Sequence, residues 1–144
     1  MHLQKNLTLK DISNSKRIRD SWVKFLSQYP WEWFVTLTFP QFISLRRANR
    51  FWNRWLRKME KKLNSAPGYF RVTEYQQRGV VHFHALMFGV KSLRRLTCMD
   101  RWTAISGGYA RIRPYEKNRG AEFYLTKYLH KGLQDYRLGG FKNK

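Results

Sequence analysis

Apolar and polar positions follow two periods along this chain. Between 44 and 63, Leu45, Ala48, Trp52, Trp55, Leu56, Met59 and Leu63 recur at helical spacing. Arg46, Arg47, Arg50, Arg54, Arg57, Lys58, Lys61 and Lys62 fall on the other face, which predicts a long amphipathic helix from Ser44 to about Leu63. A shorter stripe of Ile18, Trp22, Phe25, Leu26 and Tyr29 predicts a helix over 15–28, ended by Tyr29-Pro30. WFVTLTF (33–39), closed by Pro40, is β-branched and aromatic and reads as a strand. So do YFRVTEYQ (69–76), VVHFHALMF (80–88) and the alternating YARIRPY (109–115). Asn64-Ser65-Ala66-Pro67-Gly68 marks a turn. Further helices are expected over 92–105, stopped by Gly107-Gly108, and over 120–133, with Gly132 near the C-cap. Residues 1–12 show no clear period and read as an arm. The order αβαββαβα, with its hairpin, predicts an α+β fold in which a central antiparallel sheet is flanked by helices. A length of 144 residues fits one domain, with an N-terminal arm and helix over 1–30 and a core over 33–132.

One strand carries polar groups that an ordinary core strand would not. His82 and His84 stand two apart, so both project from the same face while Phe83 points away. Buried imidazoles cost free energy unless they find partners. Gln77-Arg78-Gly79 suits a three-residue hairpin loop, with Gly79 at the position that favours left-handed backbone. If Gln76 then pairs with Val80, Glu74 lies directly opposite His82, with Cβ atoms ~5 Å apart. Two imidazoles and a carboxylate would converge as three ligands to a divalent cation, leaving positions for water or phosphate. A slip of one residue would turn Glu74 to the other face. The bland alternative is a pair of core histidines bonded to backbone or water. A cupin-type reading of H-x-H expects a Glu shortly downstream, and ALMFGVKS has none. Cys98 is the only cysteine, so neither an internal disulfide nor a thiolate zinc site can form.

Charge narrows the partners. Lys and Arg number 29 against 9 acids, a formal net charge of +20, which favours a polyanion. Nucleic acid is the first candidate and an anionic membrane surface the second. Aromatics make up 17% of the chain and are interleaved with cations, as in KRIRDSWVKF. Bases stack on aromatic faces while cations hold phosphates, so the mixture suits single strands. No apolar run is long enough to span a bilayer and no signal core opens the chain, which together with the lone cysteine points to a cytoplasmic protein.

On the expected last helix, Tyr124 and Tyr128 lie four apart and share a face, with Lys127 and Lys131 beside them. Such a pair is often mere packing. A phenol is a weak nucleophile until a nearby cation and a polarised phosphate assist it.

Together these motifs resemble the HUH endonuclease superfamily, and more narrowly the rolling-circle replication initiators of plasmids and single-stranded DNA phages. WFVTLTF resembles the family's first motif, VVHFHALMF its histidine-hydrophobe-histidine motif, and YLTKY its tyrosine motif in two-tyrosine form. The resemblance covers about residues 33–132. It implies a ferredoxin-like, RRM-like sheet, and a Mg2+ or Mn2+ ion held by His82, His84 and an acidic third ligand, for which Glu74 is the choice. It implies that Tyr124, aided by Lys127, cleaves one DNA strand, keeps a 5′-phosphotyrosine link and frees a 3′-hydroxyl, with Tyr128 as an alternate nucleophile. Single-stranded DNA, from an origin or a hairpin, is the expected partner. Arg71, Arg78, Arg111, Arg113 and Lys131 are its expected contacts. No helicase segment follows, so a minimal initiator, a fragment of a longer protein, or unwinding by a host helicase are the alternatives. A bacterial or archaeal host, with a plasmid or virus as the gene's source, goes with this resemblance. Three other readings stay open: a transposase of the same superfamily, a non-catalytic RRM-like strand binder that uses its sheet aromatics, and an RNA-binding protein suggested by charge alone.

Overall fold

The computed structural model describes residues 9–76, 79–129 and 135–141, with side chains from residue 16 onward except those of 128 and 129. In chain order the elements are α1 (Leu9–Leu26), β1 (Trp33–Leu37), α2 (Leu45–Leu63), β2 (Gly68–Tyr75), β3 (Val81–Phe88), α3 (Arg95–Ser106), β4 (Ala110–Pro114), α4 (Gly120–Tyr124) and β5 (Tyr136–Gly139). One antiparallel sheet has the order β4-β1-β3-β2-β5. The β1-α2-β2-β3-α3-β4 succession with β1 and β3 at the centre is the ferredoxin-like arrangement, so the α+β expectation holds.

The sheet is covered on both faces, which explains why β1 reads as a nearly continuous apolar run. Odd-numbered residues of β1, β2 and β3 face α2 and α3. There Val35, Leu37, Phe83, Ala85 and Met87 meet Ala48, Trp52, Trp55, Met59, Cys98 and Trp102. Even-numbered residues face α1 and α4, where Phe34, Phe70, Val72, Leu86 and Phe88 meet Leu26, Trp31, Ala121, Tyr124 and Leu125. Buried indoles need partners for their N–H groups. Trp55 donates to the Cys98 carbonyl at 2.9 Å, Trp102 to the Thr38 carbonyl at 3.0 Å and Trp31 to the Leu26 carbonyl at 2.7 Å.

α2 begins where expected because Ser44 caps it, its side chain accepting from the Arg47 amide at 3.2 Å. α3 stops at Gly107, whose φ of 77° is the left-handed conformation that closes a helix. Four expectations differ from what forms. α1 already runs from Leu9, within the stretch read as an arm, and Ile18 is exposed because α1 packs mainly through Trp22 and the turn after it. The helix expected over 120–133 is α-helical only to Tyr124 and continues as a π-helical turn over Leu125–Leu129. Residues 130–133 of that expectation lie outside the described residues. β5 was not expected from the sequence. Its residues are mostly exposed and it has β2 alone as a partner, so the apolar alternation that marks a strand is missing.

Candidate active site

The hairpin register determines what converges on the α1/α4 side of the sheet. The Gln76 amide donates to the Val80 carbonyl at 2.9 Å, and Gly79 adopts φ 73°. Glu74 therefore pairs with His82, and Val72 with His84, as the three-residue loop requires. On the other flank His84 pairs with Thr36, which in turn pairs with Arg111. Glu74, His82, His84, Thr36 and Arg111 thus share one face, and strand alternation alone puts them there.

Glu74 Oε1 stands 3.5 Å from His84 Nε2 and 3.8 Å from His82 Nδ1. Each imidazole has a second neighbour. Thr36 Oγ1 lies 3.2 Å from His84 Nδ1, and Gln76 Nε2 lies 3.0 Å from His82 Nδ1 and 3.3 Å from Glu74 Oε1. If Thr36 accepts from Nδ1–H of His84, the lone pair of Nε2 faces Glu74, the tautomer a cation needs. Burial holds the His82 ring below the ordinary histidine range, with the Glu74 carboxylate opposing that shift in part, so His82 is neutral at pH 7. Two imidazoles beside a carboxylate are the donor set of a divalent site. Ligand-to-ligand edges around an ion at ~2.1 Å are about 3.0–3.4 Å, slightly shorter than the two Glu74–His separations. Among the described residues no three His, Cys, Asp or Glu side chains close on a cation as they stand. The donor chemistry of Glu74, His82 and His84 fits a divalent cation.

Tyr124 reaches this face through one ring. Its ring centroid is 5.4 Å from that of Phe34, and Phe34 lies parallel to His84 at 6.3 Å. Tyr124 is buried and stacks on Tyr115 at 4.5 Å, and its hydroxyl accepts from the Glu116 amide at 2.8 Å. A cleft of about 370 Å³ opens beside it, lined by Thr36, Arg111, Arg113, Arg119, Lys127 and Tyr124 among others. The exposed Lys127 ammonium sits 5.3 Å from the Phe123 ring. α1 fastens this segment, with Arg19 bonding Glu122 at 3.5 Å and also Thr126.

Arg111 and Arg113 are exposed at the cleft. Arg71 is not. It faces the opposite side, fully enclosed, with its guanidinium 3.9 Å from the Phe83 ring and Nη2 donating to Asn49 Oδ1 at 2.7 Å. Burial, with Arg137 nearby, lowers its pKa to about 10. An odd position on β2 points under α2, so the expectation that Arg71 touches DNA is corrected by parity. Arg78, Lys131 and the Tyr128 side chain lie outside the described residues. The sheet aromatics Phe34, Phe70, Phe83 and Phe88 are buried under helices, while Tyr75 of β2 and Tyr136 of β5 are exposed. Thr36, Gln76 and Arg119 join the site without having been singled out from the sequence. Thr36 was discoverable, as a polar even-numbered residue in an apolar strand. Gln76 and Arg119 carried no signal, since their places depend on loop paths.

No curated protein and no solved structure matches the chain. Residues 32–133 match the family of replication-associated protein ORF2, and this stretch runs from just before β1 to beyond the π turn, more than two thirds of the chain. No described helix is long and apolar enough to cross a membrane. The basic cleft, the His-Glu constellation beside it and this match agree: the chain belongs to the replication-associated protein ORF2 family and has a role in the initiation of replication.

Proposed function

We propose that the protein is an HUH-type endonuclease that nicks and rejoins single-stranded DNA to start rolling-circle replication. The observation that carries this reading is the shared sheet face of Glu74, His82 and His84, one ring away from a tyrosine that lines a cationic cleft. Glu74, His82 and His84 would hold Mg2+ or Mn2+, which when bound withdraws charge from the scissile phosphate. Arg111, Arg113 and Lys127 hold the strand by its phosphates and offset the negative charge that builds up during attack. The Tyr124 oxygen attacks phosphorus and the bond to the 3′ oxygen breaks. The 5′ phosphate stays on Tyr124, and the phenolic proton ends on the freed 3′-hydroxyl, so no co-reactant is consumed. The Glu116 amide already fixes the position of the Tyr124 hydroxyl. Tyr128 is the alternate nucleophile, able to attack the regenerated junction so that the displaced strand closes into a circle. A transposase would run the same chemistry on a hairpin end, and the family match favours replication.

The test is incubation with end-labelled single-stranded DNA and Mn2+, followed by a denaturing gel. A covalent adduct is expected, mapped by mass spectrometry to Tyr124. It should be lost in the His82→Ala/His84→Ala double variant. Full nicking by that variant would refute the metal assignment, and an adduct only on Tyr128 would overturn the choice of nucleophile. Complete loss in Tyr124→Phe would remove the alternating scheme.

A further inference from the structure

The outer face of α2 is charged beyond anything the fold uses. Arg46, Arg47, Arg50, Arg54, Arg57, Lys58, Lys61 and Lys62 are all exposed, while Ala48, Trp52, Trp55 and Met59 turn inward. Glu60 is the one acid in the helix, and the first turn has none. Among the described residues, no carboxylate lies within ion-pair distance of any of these cations. Asp100 of α3 does line a shallow groove with Arg54, Lys58 and Arg101. A second groove holds Arg47, Arg50, Arg54 and Arg57 together with Phe51 and Asn53. Like charges at i and i+4 destabilise a helix, and cations in the first turn oppose its dipole. Arg46/Arg50/Arg54 and Arg54/Lys58/Lys62 are such series, and Arg46 and Arg47 occupy the first turn. Lys61 and Lys62 suit the dipole in the last turn, but the rest of the helix holds charge where folding disfavours it, and no ion pair among the described residues offsets the arrangement.

We propose that this face binds the sugar–phosphate backbone of duplex DNA that flanks the strand held at the active site. α2 lies across the sheet from Tyr124 and His84, so the two surfaces can hold different parts of one substrate. Duplex rather than single strand follows from the chemistry of the face. Single-strand binders set aromatic rings beside their cations. The aromatic residues of α2 are buried, in Trp52 and Trp55, or half-buried, in Phe51 with the Arg47 guanidinium over it at 5.6 Å. The helix is about 28 Å long, the axial length of roughly eight base pairs. Cations without base-reading partners give binding that is insensitive to sequence. The placement of the single strand rests on the proposed nicking activity; the duplex contact itself does not.

The test uses the full chain with Tyr124→Phe and Tyr128→Phe, so that binding is read without cleavage. Into it go Arg50→Gln, Arg54→Gln, Arg57→Gln and Lys61→Gln. Two probes are titrated at several salt concentrations: a short single strand, and the same strand extended by a duplex of about ten base pairs, slightly longer than α2. Vesicles of anionic phospholipid form a third arm. The quadruple variant is expected to bind the single strand within about twofold of its parent and the duplex-flanked probe at least tenfold more weakly. Its salt slope on that probe should be shallower by about 0.9 for each phosphate that the variant no longer neutralises. An equal weakening on both DNA probes would reduce the face to general steering and overturn the proposal. Unchanged binding to both would make it a solvated surface, and a weakening confined to the vesicles would assign it to membranes. Absence of a covalent adduct in the wild-type protein would refute the nicking reading yet leave the comparison of the two probes intact.

Discussion

Thr36 sits 3.2 Å from His84 Nδ1, and a ring held at that nitrogen offers Nε2 to Glu74. Thr36→Val keeps the shape and removes the hydroxyl. Groups that orient a metal-binding histidine are typically worth about 10–100-fold in metal affinity or activity. The Mn2+ concentration needed for half-maximal nicking should rise by that order, with thermal stability nearly unchanged. An unaltered Mn2+ titration would show that Thr36 does not orient the ring. Arg71 offers the opposite kind of test. Its Nε and Nη1 have no hydrogen-bond partner among the described residues, but its guanidinium stacks on Phe83 and Trp52, bonds Asn49 and feels the Asp135 carboxylate. Arg71→Met should lower the unfolding free energy by about 1–3 kcal/mol, measured in urea, and leave oligonucleotide affinity as it was. A marked drop in affinity with the fold intact would return Arg71 to the DNA surface.

Loops place the elements, and two glycines show how differently they do so. A Cβ on Gly108 would overlap the Thr38 carbonyl oxygen, because the chain entering β4 runs against the end of β1. Gly108→Ala must push apart two chain segments that are also joined by the Thr38 amide donating to the Tyr109 carbonyl at 2.8 Å, and a destabilisation of about 3 kcal/mol is expected. Gly120 has φ 77° but open space around it, so Gly120→Ala should cost only about 1 kcal/mol of backbone strain. Denaturant midpoints of the two variants check the order, and equal shifts would mean that the β1–β4 approach relaxes freely. The π turn after Tyr124 belongs to the same scale. Leu125 is buried in the core shared with Phe34 and Leu86, while Lys127 stays exposed at the cleft. A π turn accommodates one extra residue per hydrogen-bonded ring, and such turns recur at functional sites.

For the whole molecule, a net charge of +20 makes binding and chemistry separable. Affinity for single-stranded DNA should fall with salt, log K changing by about 0.7 per neutralised phosphate against log salt concentration. EDTA should abolish nicking and leave that slope almost unaltered, because phosphates are held by Arg and Lys and the metal acts on one phosphate only. Filter binding in parallel with the cleavage gel reads both. An affinity indifferent to salt would contradict phosphate-dominated binding.

Local rules were enough for the alternating core strands, the capped and amphipathic α2, and the H-x-H pair with Glu74 across a glycine-ended loop. Strand parity and loop length are short-range properties, so they could be read from residues 74–84 alone. Those same rules did not show that β2 lies beneath α2 with Arg71 inside, since burial of a strand face depends on which helix crosses it. Nor did they show that β5 adds to the sheet, because an edge strand held mainly by backbone hydrogen bonds needs little apolar pattern. The joining of Tyr124 to His84 through Phe34 spans 90 residues of chain from β1 to α4, and only the packing of α1 and α4 on the even-numbered face brings them together. The residues of the site were thus written locally, and the approach of Tyr124 to the His-Glu face was decided by which face of the sheet each helix covers.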